Sequence, residues 1–501
     1  MSFMGIDVGT TGCKAVAFDE DGRILAAAYR EYPLHFPKPG WIELDSNRVM
    51  QSVRESVREA AAKTRKDPVR AFAVSAQGEA VTPVGKDGAF LHNAIVTFDA
   101  RTAPLVDWWD RRVPRRRIYQ ISGMPLHGMY TASKILWWKQ QRPDVFRRAR
   151  HFLCYEDLLF QSMGLEPAID ASLASRTMFY DIDRGTWSPE LLKVAGVEAD
   201  RLAKVLPSGS VVGEIGGRAA REFGLPEGAL AVTGGHDQPC GALGAGVVED
   251  RVGMYATGTV ECITPAFRKR AIHPDLIRNN IACYPHVVKG LYVALTFNFT
   301  GGSLLRWYRD TFAGEEKALA KKAGKDVYDL IVGQAPKEPT SLFVLPHFTS
   351  TGTPHFDTNS RGVIAGLRLS TTKGEVVRAL LEGVTYEMAL NARILEECGA
   401  RIDSFRAIGG GAKSPFWMQL KADLLGKPVS ALRVPEAACL GAAILAASAA
   451  GRFADPRKEA LRLAKVERTY VPDPKRAKAY REKFDLYRQV YPAMKGLLNR
   501  M

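Results

Sequence analysis

Apolar runs with a β-type rhythm open the chain. Gly5 to Val8 reads as a strand, Gly9-Thr10-Thr11-Gly12 as a turn and Lys14 to Asp19 as a returning strand, with Asp21-Gly22 turning into Ile24 to Tyr29. This is a meander of hairpins, not the start of a βαβ unit. The period then changes: Val49, Val53, Val57, Ala60 and Ala61 fall on one face of a helix over 47–66, and the β-rich run Ala71 to Ser75 leads into Gln77-Gly78-Glu79. Alternating sheet and helix makes the class α/β. A second hairpin of the same kind, Met254-Tyr255-Ala256, Thr257-Gly258-Thr259, Glu261-Cys262-Ile263, lies in the second half. The echo predicts two duplicated domains facing each other across a cleft, with the division near Gly246 to Asp250. The chain therefore divides into 1–246, 247–453 and a Lys/Arg-rich helical appendage over 454–501.

Composition narrows the picture. The 501 residues suit two or three domains, and 46% hydrophobic with 25% charged residues is ordinary globular usage. The longest small, apolar stretch, Ala437 to Ala450, is shorter than the roughly 18 residues that cross a bilayer and reads as a buried helix. Seven scattered cysteines without a CxxC pair, and no export signal, predict a cytoplasmic chain without structural zinc. The oddity is a net charge of +15. Its densest run, Arg111, Arg112 and Arg115 to Arg117 beside Trp108, Trp109 and Tyr119, raises nucleic acid as a partner, but it also reads as a solvated helical face turning at Pro114. No nucleic acid and no membrane is the expectation.

The turn Gly9 to Gly12 offers a polyphosphate close backbone approach, Thr hydroxyls and the cation Lys14, and Asp7 at the strand end suits Mg2+ held through water. Thr257-Gly258-Thr259 and Gly409-Gly410-Gly411-Ala412 are further glycine turns at the ends of β-type runs. Neither GxxxxGK[ST] nor GxGxxG occurs, so no P-loop or Rossmann site is expected. In VTGGHDQPCGALGAG, Asp237 stands where a strand meets a small-residue helix, a place for a general base that takes the proton of an attacking hydroxyl. Its neighbour His236 reads as a packed, hydrogen-bonded residue.

These residues resemble the FGGY carbohydrate kinases, in GIDVGTTGCKAVAFD, GWIELD, AQGE, GGHDQPCGALGAG, ATGT, GVIAGLRLSTTKGEVVRALLEG, GGGAKSPFWMQLKADLLGKPV and CLGAAILA, in that order. The resemblance implies two actin-like (ribonuclease H-like) domains, ATP and Mg2+ in the cleft, and a phosphorylated hydroxyl of a small sugar or polyol as product. It further implies Asp237 as base, with Asp7 and Asp237 near Mg2+ and the substrate. Gly9, Thr10, Thr11, Lys14, Thr257, Gly258 and Thr259 would face the phosphates, Gly410, Gly411 and Ala412 the adenosine, and Gly301 and Gly302 a further part of the nucleotide.

Over its length the chain looks most like xylulokinases. At the acceptor positions, where Asp7, Gln77, Gly78, Glu79, Asp237 and Gln238 are expected to bind substrate, it departs from them: Gln77 is followed by Gly78-Glu79, and Asp237 by Gln238, which look more like glycerol kinases. Glu79 and Gln238 suit a vicinal polyol, so a glycerol, tetritol or pentitol kinase is the alternative within the family. Trp41 and Glu43 of GWIELD are expected to pack a loop on the first domain. A rival of another class is an actin-like ATPase with no sugar substrate. A homodimer is the default assembly.

Overall fold

The computed structural model describes residues 1–434 and 436–501. The opening meander forms β1 (Ser2–Val8), β2 (Gly12–Phe18) and β3 (Ile24–Glu31). With β4 (Val69–Ala76), β5 (Val211–Glu214) and β6 (Leu230–His236) they make a six-stranded sheet in the order β5-β6-β4-β1-β2-β3. The helix foreseen over 47–66 spans Ser46–Lys63, buries Val49, Val53 and Val57, and is capped by Asp45, whose side chain accepts from the Asn47 and Arg48 amides.

The second half repeats this plan. Strands β7 (Val252–Thr257), β8 (Glu261–Phe267), β9 (Ala282–Pro285), β10 (Tyr292–Asn298), β11 (Ser404–Ile408), β12 (Val429–Leu432) and β13 (Val466–Tyr470) form a sheet in the order β9-β10-β8-β7-β11-β12-β13. Strands β3-β2-β1-β4-β6-β5 correspond one by one to β10-β8-β7-β11-β12-β13. Each antiparallel pair matches an antiparallel pair and each parallel pair a parallel one. The echo between two hairpins is thus the trace of a whole duplicated α/β domain, in the actin-like arrangement.

Two small-residue helices join the halves. Asp237–Gly244 follows β6, Ala437–Ala449 follows β12, and the second packs across to β1, β4 and β6 of the first sheet. Their contact is backbone on backbone: a Cβ at Gly441 would lie 1.9 Å from the Cys240 carbonyl oxygen, and one at Gly244 1.9 Å from that of Ala437. Segment 454–501, expected to be a helical appendage, is instead built into the second half. It supplies edge strand β13 and the helix Pro474–Leu498, whose Tyr480 and Tyr487 hydroxyls donate to Glu382 and Glu387 at 2.7 and 2.6 Å. The sequence hid this strand because β13 is an exposed edge, and charged residues fill the positions that alternation would make apolar. Among the described residues, no helix is long and apolar enough to cross a membrane.

Candidate active site

The first glycine turn leaves β1 at Val8 and is closed by the Gly9 amide on the Gly12 carbonyl at 3.0 Å. Gln77, at the end of the neighbouring β4, holds it from both ends of its amide. Nε2 donates to the Gly9 carbonyl at 2.9 Å, and Oε1 accepts from Thr10 Oγ1 at 3.0 Å. Gln77 was expected to bind substrate; its polar atoms are committed to shaping the turn. Thr11 is exposed at the tip. Asp7 and Lys14 are cross-strand partners, so the turn places a carboxylate and an ammonium side by side. Ser75 Oγ donates to Asp7 Oδ1 at 2.7 Å, and Lys14 Nζ reaches Glu436 at 2.6 Å.

The second turn, Thr257 to Val260, is laced to the start of the helix Gly302–Phe312. The Gly301 amide donates to the Thr259 carbonyl at 3.0 Å and that of Gly302 to Gly258 at 2.8 Å. Gly301 and Gly302 therefore shape this turn with their N–H groups rather than presenting them. Below it lies a fully buried ion pair that the sequence reading missed: Lys421 Nζ sits 2.7 Å from Glu261 Oε1 and 3.8 Å above the Tyr255 ring. Glu261 also accepts from the Tyr255 hydroxyl at 2.6 Å. Burial pushes the Lys421 ammonium down to about 8 against the pull of Glu261. Lys421→Met would leave Glu261 charged, buried and uncompensated. It is expected to cost about 3–5 kcal/mol, read as a lowered thermal inactivation temperature, with Lys421→Met/Glu261→Gln recovering part of the loss. An unchanged temperature in the single variant contradicts this account of the turn.

The second turn and the glycines after β11 share one cavity of about 710 Å3, whose walls include Thr257, Gly258, Thr259, Gly410 and Gly411, and which Lys14 of β2 reaches from the first half. Thr257 Oγ1, on this wall, is buried with no hydrogen-bond partner. Ala412 lines an adjoining recess of about 100 Å3 with Ile408 and Leu432, and Lys413 of the same 3-10 turn borders both cavities.

On the acceptor side, β6 slips register between Val232 and Gly235, where a Cβ at Gly234 would meet the Val74 carbonyl oxygen at 2.1 Å. Side chains take over from the ladder: Glu156 accepts from the Gly234 amide at 2.7 Å, and Ser172 Oγ from the His236 amide at 2.9 Å. This aims Asp237, the first helical residue, whose side chain is 33% exposed. Burial, with the Asp7 and Glu79 carboxylates adding to it, pushes its carboxyl up to about 7 against the opposing pull of Arg176. Burial also raises Asp7, against Ser75 and Lys14. Gln238 Oε1 is buried and unpartnered.

Glu79 is not a free polyol clamp. It is buried in the left-handed region at φ 66, accepts from Thr97 Oγ1 at 2.7 Å and forms an ion pair with Arg176. Gly78 makes room for that pair, since a Cβ there would lie 3.2 Å from Arg176 Nε and 2.9 Å from His236 Nε2. Arg176 lies over the rings of Tyr130 and Tyr284 at 5.3 and 5.5 Å. His236 Nδ1 meets the Tyr284 hydroxyl at 2.8 Å, and burial beside Arg176 holds its imidazole well below its ordinary range. Arg176 and Tyr284 carried no motif, because they reach the site from unrelated segments, whereas Tyr130 stands beside Met129, where glycerol kinases place an aromatic near the substrate. Trp41 and Glu43 pack as expected: Arg101 lies 4.0 Å over the Trp41 ring and pairs with Glu43 at 2.8 Å. In the basic run, Trp109 and Tyr119 are buried and Arg112 covers Trp108, so none of these aromatic faces is laid open for a base.

Two halves of one topology, each with a glycine turn in its first hairpin, define an actin-like phosphotransferase architecture. The chain belongs to the FGGY family of carbohydrate kinases, with residues 2–244 matching the family's N-terminal domain and 253–450 its C-terminal domain. It is 32% identical over 511 residues to the autoinducer-2 kinase of Yersinia pestis bv. Antiqua (strain Angola), an alignment covering 99% of this chain and 95% of that one. Among solved structures it is similar to the gluconate kinase of Lactobacillus acidophilus, with a TM-score of 0.89, 26% identity and 98% of both chains covered. It is equally similar to the ligand-bound xylulose kinase of the same organism, at TM-score 0.89 and 26% identity over 99% of this chain and 98% of that one. It is thus a carbohydrate kinase, and ATP is the phosphoryl donor the family implies.

Proposed function

We propose that this kinase transfers the γ-phosphoryl group of ATP to a hydroxyl of a small, neutral sugar or polyol, with Asp237 as general base. The observation that carries the reading is Asp237 itself: a partly open carboxylate at a strand-to-helix junction, next to the unpartnered Gln238 Oε1 and near enough to Asp7 for that carboxylate to help raise its carboxyl. Asp237 takes the hydroxyl proton as the phosphorus–oxygen bond forms, Gln238 accepts from a neighbouring hydroxyl, and Thr257 Oγ1 with the amides of the two turns meets the phosphates. Asp7 and Asp237, two carboxylates made costly by burial, suit a hard dication that takes oxygen ligands, and Mg2+ held there offsets charge on the phosphoryl oxygens.

The acceptor is neutral because the buried cations beside it are already engaged by the protein. Arg176 is paired with Glu79, and Lys134 Nζ donates to the Glu79 carbonyl at 2.9 Å. An aldonate carboxylate would face Asp237 and Asp7 with neither cation to spare. ADP release measured across ketopentoses, tetritols, pentitols, glycerol, autoinducer-2 and aldonates should respond to a neutral acceptor. Stimulation by aldonates alone contradicts the neutral-acceptor reading.

The pH dependence follows from the raised carboxyl. Asp237 accepts a proton only when ionised, so acid removes activity: kcat/KM for the acceptor should fall about tenfold per pH unit below a midpoint near 7 and level off above it. A profile that is flat from pH 5 to 8, or that falls toward high pH, contradicts the assignment.

A further inference from the structure

We infer that Glu436 is a positioning residue: it draws Lys14 away from Asp7 and holds the ammonium at the wall of the nucleotide cavity, which leaves the Asp7 carboxylate free for a cation. The inference rests on the reading of that cavity as the nucleotide site, with Mg2+ near Asp7.

The partners found here are not the ones that local structure offers. Asp7 and Lys14 stand directly opposite each other on β1 and β2. Side chains so placed have Cβ atoms about 5 Å apart, and an acid facing a base there is ordinarily an ion pair. Instead Lys14 Nζ donates to Glu436 Oε2 at 2.6 Å, and Asp7 Oδ1 accepts from Ser75 Oγ at 2.7 Å. Among the described residues, Lys14 is paired with Glu436 alone and Asp7 enters no ion pair. Glu436 stands at the N-cap of the helix Ala437–Ala449, where a side-chain oxygen can accept from the first-turn amides, yet its side chain makes no cap hydrogen bond. It is turned to Lys14 instead, 422 positions away and on the other half of the molecule.

The consequence is a sorting of charge. Lys14 Nζ also lies 5.5 Å from the centre of the Tyr29 ring, and both residues border the nucleotide cavity. Held between Tyr29 and Glu436, the ammonium keeps donors for a phosphate, since Nζ carries three and Glu436 takes one. Without the Glu436 charge, the carboxylate that still acts on Lys14 is Asp7. Lys14 would then close on its cross-strand neighbour. The cavity would lose an ammonium facing the phosphates and, in the same movement, a free oxygen ligand for a hard dication.

The test is a mutant cycle on the full-length enzyme, with MgADP titrated by calorimetry and thermal inactivation followed for each variant. Lys14→Met should weaken MgADP about tenfold or more, the size of a lost charge-assisted contact. Glu436→Gln keeps the shape and removes the charge, and it should weaken MgADP about five- to tenfold. Its inactivation temperature should stay close to that of the unmodified enzyme, because a half-buried ion pair contributes little to stability. In the Lys14→Met background Glu436 is a bare carboxylate near the phosphates, so Glu436→Gln should there leave affinity unchanged or raise it. In the Asp7→Asn background, which offers Lys14 no second carboxylate, Glu436→Gln should weaken MgADP by less than about twofold. Unmodified affinity in Glu436→Gln, an equal loss from it in either background, or a loss matched by a marked fall in inactivation temperature would overturn the inference. Lys14→Met separates the two levels: unmodified MgADP affinity in it removes the nucleotide reading of the cavity, whereas a weakened Lys14→Met beside an unchanged Glu436→Gln removes the role of Glu436 alone.

Discussion

Asp237→Asn is expected to lower acceptor-dependent turnover by about 100-fold or more while ATP still binds. The substitution is nearly isosteric, so the side chain can keep its place 3.1 Å from His236 Nε2. What disappears is basicity. The amide takes no proton at any pH of interest, and the acceptor hydroxyl must then lose its proton without help. ATP binding should survive because the cavity walls come from the Lys14, Thr257 to Thr259 and Gly410 to Gly411 segments, not from Asp237. Nucleotide titration by calorimetry and ADP release on the same preparation check both halves. Turnover within a few-fold of the unmodified enzyme contradicts the assignment.

The second large effect is expected at Gly411. A Cβ there would lie 2.2 Å from Thr257 Cγ2 and 3.1 Å from the Trp417 ring. Thr257 is buried and Trp417 is held in the second core, so the strain passes into the turn that carries the unpartnered Thr257 Oγ1. Gly411→Val should raise KM for ATP on the order of ten- to a hundred-fold with little change in KM for the acceptor, since displacement of a phosphate-binding group by about 1 Å is enough for such a loss. Gly496→Ala is the control. Gly496 lies in the C-terminal helix and off the cavity wall, and a Cβ there meets nothing within 4 Å, so this variant should bind ATP normally. Equal behaviour of the two variants would show that the clash at Thr257 is not what matters.

Local pattern foretold what is local. The opening meander, the Ser46–Lys63 helix and the hairpin at Thr257-Gly258-Thr259 are each decided by nearby residues, and each stands where periodicity placed it. Duplication was legible because two similar hairpins are a repeat in one dimension. The acceptor side was less so. Glu79 reads as an available carboxylate after a strand until Arg176, 97 positions away, is brought against it. Gln77 reads as a substrate ligand until β4 is laid beside β1 and its amide is taken by the Gly9 turn. Lys421 sits in the motif LKADLLGK as an ordinary helical lysine, and only the fold, which brings it to the first residue of β8, shows it paired with Glu261. Ion pairs between distant segments leave no periodicity behind, so their partners must be read in three dimensions. The +15 charge belongs mostly to the surface: Arg115 pairs with Asp110 and Arg117 with Glu190, well outside the cleft.

The central claim is that the γ-phosphoryl group goes to a carbon-bound hydroxyl and not to water. Product stoichiometry tests it most directly. With a neutral sugar or polyol that stimulates ADP release, the phosphorylated acceptor should accumulate mole for mole with ADP, by phosphorus NMR or mass spectrometry, with inorganic phosphate at background. Inorganic phosphate accumulating mole for mole with ADP, whatever acceptor is supplied, would make this chain an ATPase on a kinase fold and contradict the account.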